Sequence, residues 1–92
     1  MNLKNQAMAG SLESSDVLVS VSPLEGEVQV EIQSVVYEQF GKELEETVLD
    51  VLKQFNVNNV KIMLNDRGAL ECTVRARVET ALKRAGLEGE KC

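Results

Sequence analysis

The chain has 92 residues, 15 acidic against 10 basic side chains and a formal net charge of −5, which is one domain's length with room for only a modest core. An acidic balance opposes wrapping a phosphate backbone, which needs a concentrated basic surface, so no nucleic-acid partner is expected. Histidine is absent, which removes the usual general base at neutral pH and the commonest metal ligand.

The remaining composition narrows the class further. Two cysteines, Cys72 and Cys92, make neither a disulfide framework nor a zinc cluster. Tyr37, Phe40 and Phe55 are the only aromatic residues, so the core must be built from Val, Leu, Ile and Ala. The first residues carry Lys4 with no apolar run behind it, unlike a secretory signal, and no stretch reaches membrane-spanning length. A cytoplasmic location without membrane contact is the expectation.

In chain order, residues 1–15 are polar and rich in small residues. Gly10 with Ser11, Ser14 and Ser15 opposes a long helix. The segment reads as a flexible arm, with at most a short extended piece. Residues 16–22 alternate, with Val17, Val19 and Val21 on one face, which predicts a half-buried strand ended by Pro23. Residues 27–33 alternate again, with Val28, Val30 and Ile32 opposed to Glu27, Gln29, Glu31 and Gln33. Two such runs around Pro23 and Gly26 predict an antiparallel hairpin.

Ser34 is placed to cap a helix. Tyr37, Phe40, Leu44, Val48, Leu52 and Phe55 follow at spacings of three and four, with Val51 widening the stripe. The pattern predicts an amphipathic helix to about Phe55. Gly41 weakens it by roughly 1 kcal/mol relative to Ala. Glu43, Glu45, Glu46 and Asp50 fall on the polar side and read as a solvated face. Val60, Ile62 and Leu64 predict a third strand, and residues 65–68 a turn. Leu70, Val74, Val78, Ala81, Leu82 and Ala85 predict a second helix, with Lys83 and Arg84 complementing its dipole and Gly86 closing it. Cys72 reads as a small packed residue at its start.

The order is β-β-α-β-α. The economical arrangement is an α+β two-layer sandwich, a small sheet with both helices on one face. Three segments follow: a flexible arm over 1–15, one domain over 16–86 and a frayed tail over 87–92.

No Ser-His-Asp set, Walker loop, dinucleotide fingerprint or metal spacing occurs, so no catalytic residue and no metal ligand is assigned. The unusual stretch is Ala-Gly-Ser-Leu-Glu-Ser-Ser-Asp, residues 9–16. It sets hydroxyls and carboxylates ahead of a strand, where a modifying enzyme can grip the backbone. Taken by themselves, Ser14 and Ser15 read first as ordinary turn-capping hydroxyls.

That stretch resembles the amino-terminal signature of citrate lyase acyl carrier proteins. Asp66, Arg67, Gly68, Ala69, Leu70, Glu71 and Cys72, followed by residues 74–78 (Val-Arg-Ala-Arg-Val), resemble a second family signature, and Gln39-Phe40-Gly41 a shorter third. The blocks stand in the family's order and span most of the chain. Ser11 stands where many relatives carry Thr. The resemblance implies a non-catalytic carrier subunit. Its cofactor-binding residue would be Ser14, esterified through a phosphodiester to phosphoribosyl-dephospho-coenzyme A. On the same resemblance the group would be delivered from its triphosphoribosyl precursor, 2'-(5''-triphosphoribosyl)-3'-dephospho-CoA, by a prosthetic-group transferase. Its thiol would carry acetyl and citryl groups between an alpha acyl transferase subunit and a beta citryl lyase subunit, which together would cleave citrate to oxaloacetate and acetate. Ser15 is the nearest alternative attachment point.

Arg67, Arg75, Arg77, Lys83 and Arg84 gather near the second helix. The reading favoured for them is local helix support, with Glu79 paired to Arg75 and Lys83 at i,i+4, worth a few tenths of a kcal/mol. Holding the arm's phosphates or docking a partner is the alternative. Two other functions compete with the carrier of citrate lyase: a small protein-interaction adaptor with no covalent cofactor, and a carrier for a malonate decarboxylase-type complex.

Overall fold

The computed structural model describes residues 5–35 and 37–86. The elements are β1 (Ala7–Gly10), β2 (Val17–Pro23), β3 (Val28–Ser34), α1 (Tyr37–Gln54), β4 (Val60–Asp66) and α2 (Glu71–Arg84). Four strands form one sheet in the order β1-β2-β4-β3. The α+β two-layer architecture is as expected. α1 packs on β3, α2 packs on β1 and β2, and the helices pack on each other.

Cross-strand register aligns the apolar rows. Ala9, Val19 and Leu64 stand side by side with Ile32, as do Val21, Ile62 and Val30. Side chains of one parity share one face, and here that face meets Leu44, Val48, Val51 and Leu52 of α1 and Val74, Val78, Ala81 and Leu82 of α2 in a single core. Among the described residues, no aromatic is one of the fully buried side chains.

The expected hairpin and arm need correcting. β2 and β3 do not form a hairpin: β4 lies between them, antiparallel to β2 and parallel to β3. The step across one intervening strand is roughly 9.5 Å, within reach of the connection at about 3.3–3.6 Å per residue. That connection is tied to the start of β4, with Leu24 N–H donating to Asn59 C=O and Val60 N–H to Glu27 C=O. α1 is then the crossover that a parallel β3–β4 pair requires. In addition, Ala7–Gly10 is a full edge strand paired to β2, so part of the segment read as an arm belongs to the sheet. The tail 87–92 and residues 1–4 lie outside the described residues.

Ser34, expected ahead of the first helix, has a place in the sheet. It is the last residue of β3, and its hydroxyl donates to Asp66 Oδ2 at 2.8 Å. Asp66, expected in a turn, ends β4 in the inward-facing row and is 1% exposed.

Candidate functional site

The segment between β1 and β2 is a loop whose tip is formed by Ser14 and Ser15. Its closure begins at Gly10. At φ +97, a Cβ there would stand 1.8 Å from Val17 O and 3.3 Å from Arg77 Cδ. The left-handed backbone and this close approach both require glycine. Ser15 also adopts a left-handed conformation, φ 66, and its N–H donates to Arg67 C=O at 2.8 Å. Arg67 N–H donates to Asp16 C=O at 2.9 Å, so the loop is stitched by backbone bonds to the β4–α2 connection.

Asp16 is the hub. Its carboxylate accepts from the Ser11 hydroxyl at 2.7 Å, from Val17 N–H at 2.7 Å, and from Arg77 Nε and Nη2 at 3.1 Å each. The Arg77 contact is a two-point guanidinium fork, the geometry that best fixes a carboxylate. The Ser11 hydroxyl, then the Val17 N–H and then Arg77 hold the Asp16 carboxyl at about 2, below its usual 3.8. The Ser11 oxygen in turn accepts from Glu13 N–H at 3.2 Å. Ser14 is left exposed at the tip, with its neighbours anchored on both sides.

The two separated sequence blocks therefore meet in space. Residues 9–16 form the loop, and residues 66–77 supply Arg67 and Arg77 that hold it. Asp66 secures the base: it accepts from the Ser34 hydroxyl and from Ala69 N–H at 3.0 Å, linking the ends of β3 and β4 to the start of α2.

Beside this stitched loop, on the same end of the sheet, a groove of about 720 Å³ opens between α1 and the β4–α2 connection. Phe40, Leu44, Thr47, Ala69 and Leu70 contribute to its lining, and Glu43, Glu46, Asp50, Glu71 and Arg75 bring charge to it.

Comparison with known proteins gives this geometry a family. The family described as malonate decarboxylase delta subunit (MdcD) matches residues 4–85. A citrate lyase acyl carrier protein from Serratia proteamaculans (strain 568) is 48% identical over 91 residues, covering 98% of this chain and 89% of that protein.

The chain belongs to the citrate lyase acyl carrier protein family.

A second such carrier protein, from Treponema denticola, is 45% identical over 85 residues, 92% of this chain and 97% of that one. The fold is shared with a chain in the Pseudomonas malonate decarboxylase hetero-tetramer in complex with malonate, at a TM-score of 0.75 and 21% identity over 94% of this chain and 89% of that one. Citrate lyase acyl carrier proteins are carriers rather than catalysts, and on those relatives an acyl-carrier role is the function of this chain.

The other singled-out residues separate. Arg75 bonds Asp50 of α1 at 2.8 Å and Glu71 at 3.1 Å, so its i,i+4 partner lies one turn before it, not at Glu79. Arg77 leaves the opposite side of the helix for Asp16, as two steps of about 100° require. Arg84 donates to Met8 C=O at 2.9 Å, tying the end of α2 to β1. Cys72 is exposed, not packed, because two helical steps of about 100° put it nearly opposite the buried Val74. Cys92 lies outside the described residues. In the third block, Gly41 is buried while Gln39 and Phe40 are exposed.

The Asp16–Arg77 fork was missed from the sequence, since 61 residues separate the partners. The available hint was the co-occurrence of Asp16 and Arg77 in two blocks of one family pattern.

Proposed function

We propose that this chain is the acyl carrier subunit of a citrate lyase and carries a phosphoribosyl-dephospho-coenzyme A group on Ser14. The observation that carries the reading is the placement of Ser14. It is a solvent-exposed hydroxyl at the tip of a loop whose flanking residues are fixed, in a chain 44–48% identical to named citrate lyase carriers. An exposed primary hydroxyl on a held backbone fits phosphodiester attachment: the oxygen is reachable, and the modifying enzyme meets one loop shape rather than an ensemble.

When attached, the group supplies a thiol that holds acyl groups as thioesters. This chain's residues do the rest. Gly10 and Ser15 set the loop's turns, Asp16 and Arg77 hold it against α2, and Arg67 joins it to β4. Tethering then raises the local concentration of the cargo at partner active sites, here the alpha transferase and beta lyase subunits. Among the described residues, no helix is long and apolar enough to cross a membrane, and the exposed thiol of Cys72 suits the reducing cytoplasm.

The test is intact-mass measurement after co-expression with the prosthetic-group transferase. A mass increase confined to the Ser14 peptide, abolished by Ser14→Ala and retained by Ser15→Ala, is expected. Persistence of the increase in Ser14→Ala moves the attachment to another residue.

The MdcD match and the malonate decarboxylase neighbour favour one second reading, a carrier for a malonate-dependent complex. The 21% identity of that neighbour is well below that of the citrate lyase relatives. Measuring whether an assembled complex consumes citrate or malonate separates the two.

A further inference from the structure

Two residues on the apolar stripes that build the core are left uncovered. Phe40 of α1 is 47% exposed, and Leu70, at the start of α2, is 71% exposed. Both stripes run on into fully buried positions, Val48 on one and Val74 on the other. The uncovered ends face one groove, with Leu44 and Ala69 completing its apolar floor beside Thr47.

Charge is lopsided here. Glu43, Glu46, Asp50 and Glu71 stand against one guanidinium, that of Arg75. Arg75 is already committed to Asp50 and Glu71. Glu43 and Glu46 have no ion-pair partner among the described residues. They lie one helical turn apart, on the groove side of α1.

We propose that this groove is the docking site for a cationic segment of a partner subunit, one that places an apolar side chain between Phe40 and Leu70 and sets Lys or Arg against Glu43 and Glu46. The charge selects the occupant. A second copy of this chain, itself at −5, is repelled by the rim, and so are the phosphates of a nucleotide-like arm. A basic partner segment gains on both counts, burying apolar surface and meeting unpaired carboxylates. The position also suits a carrier. The residues that follow Arg67, from Gly68 to Leu70, line the groove, while Arg67 itself is bonded to the Ser14 loop. A partner held there sits beside the loop without covering its tip. The identity of the partner rests on the citrate lyase reading above.

The test is titration calorimetry of the loaded carrier against purified alpha and beta subunits of citrate lyase. The variants are Glu43→Lys/Glu46→Lys and Leu70→Ser, with Met8→Ser on the opposite sheet face as control. The first two should weaken binding to at least one subunit by about ten-fold or more without lowering the thermal midpoint (Leu70→Ser, at the N-cap of α2, can raise it), and the control should not. Affinity of the unaltered carrier should fall as salt is raised. Binding that survives both groove variants overturns the groove while leaving the carrier reading intact. Failure of the unaltered carrier to bind either subunit overturns the assigned partner, while the Ser14 mass test still judges the attachment. Self-association abolished by Leu70→Ser assigns the groove to a second copy and also overturns the proposal.

Discussion

Asp16 concentrates the physics of the loop in one carboxylate. Its folded pKa, about 2, is below the usual 3.8, so the charged form is the one the folded loop binds. By linkage, its contribution is fully present above the unfolded value and is lost as pH falls through about 2. Amide protection factors at residues 11–17, exchange taken relative to the intrinsic rate at each pH, should therefore fall across that window. Asp16→Asn should remove the pH dependence and loosen the loop at neutral pH. Protection that stays flat with pH in the unaltered protein would refute the hub role. Gly10 makes a complementary prediction. Gly10→Ala places a methyl group against Val17 O and Arg77 at a positive φ. It should destabilise by more than about 1 kcal/mol, read as a lowered denaturant midpoint. Glycine at this point was visible in the sequence only as a helix breaker. Its partners Val17 and Arg77 are contacts that local pattern does not encode.

At the scale of elements, alternation reveals which side of a strand is apolar but not which strand lies beside it. Val17, Val19 and Val21 and then Val28, Val30 and Ile32 gave faces correctly, yet the short link between them invited a hairpin. What decides the pairing is β4. Its inward row of Val60, Ile62 and Leu64 is buried, as befits a central strand flanked on both sides. β3, at the edge, keeps its apolar row only half-buried. The difference is measurable. Ile62→Ala should cost about 2–5 kcal/mol in chemical denaturation, within the range for truncating a buried aliphatic side chain. Ile32→Ala should cost distinctly less, because its site can partly refill with water. The helices were easier to read, since the stripes over Leu44–Val48–Val51–Leu52 and Val74–Val78–Ala81–Leu82 are long and regular. The exceptions, Phe40 and Leu70, are stripe positions left open. β1 was the hardest, because four residues holding two alanines and a glycine carry almost no strand signal.

Across the whole molecule, the Ser14 loop and α2 are joined chiefly through one side chain. Arg77 leaves α2 midway along its length, passes its stem over Gly10 and forks onto Asp16. Its removal should leave the core intact, because Val74, Val78, Ala81 and Leu82 are buried in the core and Arg77 itself is not part of it. The loop, however, would lose its tie to the helix. On the proposal that Ser14 carries the prosthetic group, Arg77→Ala should melt within a few degrees of the unaltered protein while loading of Ser14 by the transferase slows by about ten- to a hundred-fold, the range for misplacing a reacting group. Arg77→Lys retains the charge but not the two-point geometry, so it should recover only part of the loss. A purely structural role predicts otherwise: stability and loading would fall together, and Lys would restore both. Equal loading of all three proteins would mean that the transferase shapes the loop itself. In that case the fork stabilises the unloaded carrier rather than presenting its serine.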